Sequence, residues 1–264
     1  MTNSTAGNGS TIMRKKFSKL GLPLTAIVLA ILISGLGIAA WLIRPHQVMS
    51  EVSESLEASE SVRVSKISVD NVDGLHMEPI KRSKEVNLII YPGARVPAKA
   101  YALTAIKIAR EGYEVYLVEM PVNLAILGWK KAGKVISSRN RSQKWVLGGH
   151  SMGGAMAARF ISKTDYPVRG LVLWAAYPPE GARFSSRLDV LSITGKKDEI
   201  ISREKFERSR RQLPQSAEFL EIEGGNHSQF GWYGSQNGDG QATISRSRQT
   251  ELIARLTTDF LDEL

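Results

Sequence analysis

From Glu85 to the C-terminus, short apolar runs alternate with stretches of helical period, and this alternation narrows the fold more than any other feature of the chain. Glu85–Tyr91 (EVNLIIY, apolar and rich in β-branched residues), Glu114–Met120 (EVYLVEM), Lys144–Gly148, Val168–Trp174 (VRGLVLW), Leu188–Thr194 (LDVLSIT) and Glu218–Ile222 (EFLEI) are short and largely apolar, as buried strands are. Between and after them, Ala98–Arg110 places apolar residues at helical spacing, and Met152–Lys163, Ser202–Arg211 and Gln249–Leu261 are expected as further helices. Asn123–Ser138 also reads as a helix, one weakened by Gly128 and Gly133. Upstream, Val62–Val69 alternates with period two, and the turn signal Asp73-Gly74 separates it from Leu75–Ile80, which predicts a hairpin. Strands that alternate with helices imply an α/β fold, a mostly parallel sheet with helices on both faces. In such sheets ligands bind beyond the carboxyl ends of the strands, so those loops are the positions to search.

Composition removes several classes of chemistry. The chain has no cysteine, which excludes disulfides, zinc–thiolate sites and a cysteine nucleophile. Its four histidines (His46, His76, His150 and His227) include no i, i+4 pair, so no metal site is expected, and nothing in the reading calls for a cofactor. The formal net charge of +9 is unevenly spread. Residues 1–44 carry Arg14, Lys15, Lys16, Lys19 and Arg44 without an acid, and residues 45–60 carry Glu51, Glu54, Glu57 and Glu60 without a base. The remainder is therefore strongly basic, a balance suited to an anionic surface such as lipid headgroups or wall polymer. Nucleic acid is not expected as a partner, because no basic stripe is interleaved with aromatics.

Residues 20–43 (LGLPLTAIVLAILISGLGIAAWLI) contain no charge. At 1.5 Å per residue they span roughly 36 Å as a helix, enough for a bilayer core of about 30 Å. The basic cluster precedes them, which orients residues 1–19 as a cytoplasmic tail and sends the rest of the chain across the membrane. The stretch is longer than the apolar part of a cleaved signal peptide, although Gly37 and Ala39 offer a small-residue cleavage site. Residues 44–61 are polar, acidic and serine-rich, and read as a stalk or a short amphipathic helix. The remaining body runs over residues 62–264.

The segment WVLGGHSMGGAMAARF (145–160) then stands out. Ser151 falls between an expected strand and an expected helix, within Gly149-His150-Ser151-Met152-Gly153, a G-x-S-x-G pattern. The glycines allow a sharp turn in which side chains on either side of the serine would otherwise strike the neighbouring strand and helix. The pattern alone is weak, and its partners give it weight. A serine nucleophile needs a base, and the base needs an orienting acid. Asp198 follows the Leu188–Thr194 strand and His227 follows the Glu218–Ile222 strand, so all three residues lie beyond strand ends in the order Ser, Asp, His. Glu180 is the alternative acid, whereas Asp189 begins its strand and stands at the wrong edge. His150 reads as packing. For an oxyanion, the expected backbone donors are Met152 N–H and, from the loop Tyr91-Pro92-Gly93-Ala94-Arg95, Ala94 N–H, with Gly93 as second choice.

The segments YPGARVPAKAY, MPVNLAIL, GGHSMGG and GGNHSQFGWYGSQNGDG resemble those of the α/β-hydrolase superfamily, and within it the bacterial fold-5 group, distantly similar to dienelactone hydrolases. The resemblance covers residues 62–264 and implies a small serine hydrolase with a minimal cap. The expected substrate is a small-molecule ester or lipid-like compound, and the uncharged run makes the chain a cell-membrane protein with a single pass at residues 20–43. The loop 229–244 is expected near the site mouth, where Phe230, Trp232 and Tyr233 either contact the acyl group or pack the loop onto the body. The same triad suits an acyltransferase, and a catalytically inactive, membrane-tethered binding protein is the rival from another class.

Overall fold

The computed structural model describes residues 21–42, 44–57, 61–81, 83–139 and 143–264. The chain divides into two compact units, 1–44 and 45–264, each described by itself. In the first, helix α1 covers Gly21–Leu42. The basic tail expected at 1–19 lies outside the described residues, as do Leu20 and Ile43 at the limits of the expected span. Among the described residues no helix is long and apolar enough to cross a membrane; within α1 the described side chains are those of 26–35 and 37.

The second unit is built on eight strands: β1 (Val62–Val69), β2 (Val72–Pro79), β3 (Val86–Tyr91), β4 (Glu114–Val118), β5 (Lys144–His150), β6 (Val168–Trp174), β7 (Asp189–Gly195) and β8 (Glu218–Ile222). They form one sheet in the order β1-β2-β4-β3-β5-β6-β7-β8. β2 runs antiparallel to β1 and β4, and the remaining pairs are parallel. The helices are α2 (Ser50–Glu57), α3 (Ala102–Arg110), α4 (Ala125–Gly128), α5 (Lys131–Ser137), α6 (Met152–Lys163), α7 (Arg203–Ser209) and α8 (Arg246–Asp262). Central strand β3 is buried along its whole length because it feeds two cores. Leu88 and Ile90 pack with α3 and α8 on one face, while Ile89 and Tyr91 pack with α5 and α6 on the other. Residues 175–188, between β6 and β7, hold no helix, which leaves only a minimal cap.

Three expectations about elements are corrected. The β1–β2 hairpin turns at Asp70-Asn71, both at positive φ (47° and 62°), and pairs Val69 with Val72. That is the two-residue turn whose twist matches the strands. Gly74 lies inside β2, where a Cβ would come within 2.1 Å of the Leu117 carbonyl oxygen, so it marks a close approach to β4. The helix expected over 123–138 is broken into α4 and α5, preceded by Val122 and Asn123 at positive φ (44° and 57°). Of the two readings of 44–61, the short amphipathic helix forms as α2, but it does not stand off as a stalk: the segment joins the body from Pro45 onward. Val52 is fully buried in the core shared with α3 and α8, and Val48, Met49 and Leu56 pack against it. The acidic, serine-rich surface of α2 concealed one apolar face, that of Val52 and Leu56 at i, i+4. Residues 58–60 lie outside the described residues.

Candidate active site

Ser151 ends the turn between β5 and α6 at φ 52°, ψ −121°, a conformation that costs a non-glycine residue about 1–3 kcal/mol and persists only where the surroundings impose it. The surroundings here are backbone. Ser151 N–H donates to the Trp174 carbonyl at 2.9 Å. A Cβ on Gly149 would meet the backbone of Gly153 and Gly154 at 2.5 and 2.7 Å, and one on Gly153 would meet the carbonyl oxygens of Tyr91 and Pro92 at 2.2 and 2.5 Å. The glycines thus let α6 press against the ends of β3 and β5, as the sequence pattern requires. Ser151 is half-buried and its hydroxyl has no partner among the described residues.

Asp198 and His227 come from the loops after β7 and β8, and the structure brings them together. Asp198 Oδ2 lies 2.8 Å from His227 Nδ1, and both side chains are 1% exposed. The other carboxylate oxygen accepts the N–H groups of Ile200 (2.9 Å) and Ile201 (3.1 Å), which fixes the plane of the carboxylate. His227 Nε2 is buried and has no hydrogen-bond partner. In the tautomer that directs Nδ1–H at the carboxylate, Nε2 carries the ring's lone pair. Glu180, the alternative acid, lies in the loop after β6, and Asp189 begins β7 at the opposite edge.

A second hydrogen-bonded chain runs behind the serine. The Tyr101 hydroxyl accepts Gly93 N–H (3.0 Å) and pairs with His150 Nδ1 (2.9 Å). Gly93 N–H is therefore engaged, whereas the N–H groups of Ala94 and Met152 have no partner among the described residues. Arg95, at φ 62°, donates its N–H to the Asn123 carbonyl at 2.8 Å and so ties this loop to the start of α4. The His150 ring lies 4.5 Å from that of His227 and stacks on Phe230 at 5.5 Å. Burial, then the neighbouring His227, hold His150 well below the usual imidazole range, and burial pushes the Tyr101 phenol well up. Both stay neutral beside the site.

The loop that carries His227 is held by residues that pattern reading missed. Asp239 accepts the N–H of His227 (3.2 Å), the N–H of Ser228 (2.7 Å) and the Ser228 hydroxyl (2.5 Å). Arg246, at the start of α8, donates to the carbonyls of Ser228 (2.7 Å), Gly231 and Gly234 (2.9 Å). Gln249 clamps the Asn226 backbone from both sides, accepting its N–H at 3.0 Å and donating to its carbonyl at 2.8 Å. Asp239 belongs to the long GGNHSQFGWYGSQNGDG segment, so its signal was present; Arg246 and Gln249 look like ordinary polar helix residues in sequence. Phe230, Trp232 and Tyr233 are 0%, 9% and 3% exposed, and the Trp232 indole donates to Thr250 Oγ1 at 3.0 Å. Of the two roles open to them, the geometry gives them that of packing the loop onto the body.

The alpha/beta hydrolase family model matches residues 87–251, more than half of the chain. This chain is an alpha/beta hydrolase. Solved structures agree with the fold of the hydrolase. A CIB-like hydrolase from Thermoplasma acidophilum superposes with a TM-score of 0.58 at 16% identity, over 77% of this chain and 99% of that one. An esterase from Pyrococcus furiosus gives 0.56 at 15% identity, over 83% and 96%. A dienelactone hydrolase from Anabaena variabilis gives 0.55 at 13% identity, over 76% and 97%. No curated protein matches the hydrolase.

Proposed function

We propose that this hydrolase is a membrane-anchored, extracytoplasmic serine enzyme that cleaves carboxylic esters through an acyl-enzyme on Ser151. The observation that carries this reading is the buried Asp198–His227 pair, with an unpartnered imidazole nitrogen, on the same sheet edge as a strained serine. His227 Nε2 takes the Ser151 proton as Oγ attacks the ester carbonyl. Asp198 holds the tautomer and stabilises the imidazolium. The unpaired N–H groups of Met152 and Ala94 receive the oxyanion, with the N-terminus of α6 adding favourable potential. The imidazolium returns its proton to the departing alkoxide, and water, deprotonated by His227, then frees the acid and restores Ser151.

The absence of a helix between β6 and β7 supports small or lipid-like esters over substrates that need a closed chamber. The uncharged run 20–43 behind a basic segment supports a single pass, with the enzyme on the far side of the cell membrane. Hydrolysis of 4-nitrophenyl esters by the full chain, with a Ser151→Ala variant and with an added alcohol acceptor, tests the reading. Free acid as the main product, lost in the variant, is expected. Predominant transfer to the alcohol would instead make the enzyme an acyltransferase.

A further inference from the structure

Large apolar side chains that remain exposed are few in the hydrolase unit, and their distribution is lopsided. Among the described residues of that unit they are Ile80, Val122, Ile126, Leu127 and Tyr166. Ile80 follows β2, which runs antiparallel to β4, and Tyr166 precedes β6, so both stand at the amino edge of the parallel strands. Val122, Ile126 and Leu127 follow β4 at the carboxyl edge, 52%, 48% and 61% exposed, all within one eight-residue stretch, 121–128. Asn123, between them, accepts the N–H of Arg95 in the loop that holds Ala94, so the apolar cluster is joined by backbone to the expected oxyanion site.

The chemistry on either side of this cluster is that of a lipid interface. Trp129 follows directly, with Lys130 Nζ 5.1 Å from its ring centroid and Arg159 Cζ 4.8 Å from it. Residues 121–134 (PVNLAILGWKKAGK) carry three lysines and no acid, with Glu119 and Asp73 beside Lys131. An apolar tip, an amphipathic aromatic and a set of cations, in that order, match acyl chains, the interfacial region and anionic headgroups. The chain also reaches the body here. His46 N–H donates to the Arg95 carbonyl at 2.8 Å, and His46 follows the uncharged run 20–43 by three residues.

We infer that Val122, Ile126 and Leu127 seat on an anionic lipid surface, so that the site takes its ester from the bilayer. The inference rests on the membrane-anchored reading above, but its main test needs no turnover. Because the chain has no cysteine, Leu127→Cys gives a unique attachment point. The full-length chain carrying an environment-sensitive fluorophore there is reconstituted into phosphatidylcholine vesicles with and without phosphatidylglycerol, each also prepared with a nitroxide-labelled lipid. Tyr166→Cys, at the opposite edge of the sheet, serves as the reference. Stronger quenching at 127 than at 166, increased by phosphatidylglycerol and reduced by salt, is expected. Equal quenching at the two positions, or failure of the chain to associate with vesicles, would overturn the inference. So would a spectral shift at 127 that depends on protein concentration and not on lipid, since a second copy would then cover the cluster. A Leu127→Asp variant should lose roughly tenfold in rate on a vesicle-borne ester while keeping its rate on a short soluble one. Absence of both rates from the wild-type chain, with quenching at 127 as expected, would count against the ester reading and leave the lipid surface standing; a vesicle-borne rate unchanged by Leu127→Asp would overturn the supply of ester from the bilayer.

Discussion

Ser151 and Asp198 owe their geometry to backbone groups and His227 owes its own to the Asp239 and Asp198 carboxylates, and the consequences of changing them differ accordingly. Asp198 accepts two loop N–H groups as well as the His227 ring, so Asp198→Asn keeps the fold but leaves Nδ1 facing an amide. A loss of about 10⁴-fold in kcat with little change in Tm is expected, measured by ester hydrolysis and thermal unfolding. His150 makes a prediction about pH. Above about 6.5, its ordinary value, it is neutral whether the chain is folded or not. Below that, the unfolded chain takes up a proton that the folded one refuses, so stability falls as pH drops through the interval between the ordinary and the depressed value. His46, lowered by burial and by Arg95, contributes with the same sign. Urea unfolding at a series of pH values should show a shallower acid loss for His150→Gln than for the wild type; identical slopes would contradict the assignment. The candidate triad was legible in sequence because each member directly follows an apolar run. Tyr101 was not, since a phenol near Gly93 becomes meaningful only when the loops are folded together, and Asp239 stood inside a singled-out segment without its role being readable there.

Elements carry the next set of consequences. A methyl group on Gly153 would drive into the Tyr91 and Pro92 carbonyl oxygens, both on rigid backbone. Gly153→Ala should destabilise the protein by about 3 kcal/mol and displace the loop holding Ala94, lowering activity even where the protein still folds. The His227 loop depends on one carboxylate in a comparable way. Asp239→Asn keeps the shape but replaces charge-assisted hydrogen bonds, and a loss of about 2 kcal/mol with reduced kcat is expected from denaturant unfolding and steady-state rates. Strands and long helices were legible from periodicity, with β6, β8 and α6 matching their expected limits. The failures have physical causes. Asp73-Gly74 looked like a turn because its glycine serves a close approach to β4, and 123–138 looked like one helix because its apolar period continues across a break at Trp129 and Lys130.

For the molecule as a whole, the segment after residue 44 changes where the hydrolase begins. Met49 N–H donates to the Trp232 carbonyl at 3.0 Å and Val52 is fully buried, so residues 45–57 brace the His227 loop from outside. Val52→Ala removes two buried methyl groups and should cost about 2 kcal/mol, and a chain started at residue 62 should unfold at lower urea than one started at 45. Composition alone hid this, because a strongly acidic stretch needs only one apolar face to dock. The proposed catalysis depends on an activated serine at the β5–α6 turn. It is tested most directly by labelling the full chain with a fluorophosphonate and locating the adduct by mass spectrometry. A single adduct on Ser151, absent from Ser151→Ala and lost when His227 is replaced by Ala, is the predicted result. A folded protein that takes up no label, or takes it up equally without His227, would contradict the claim.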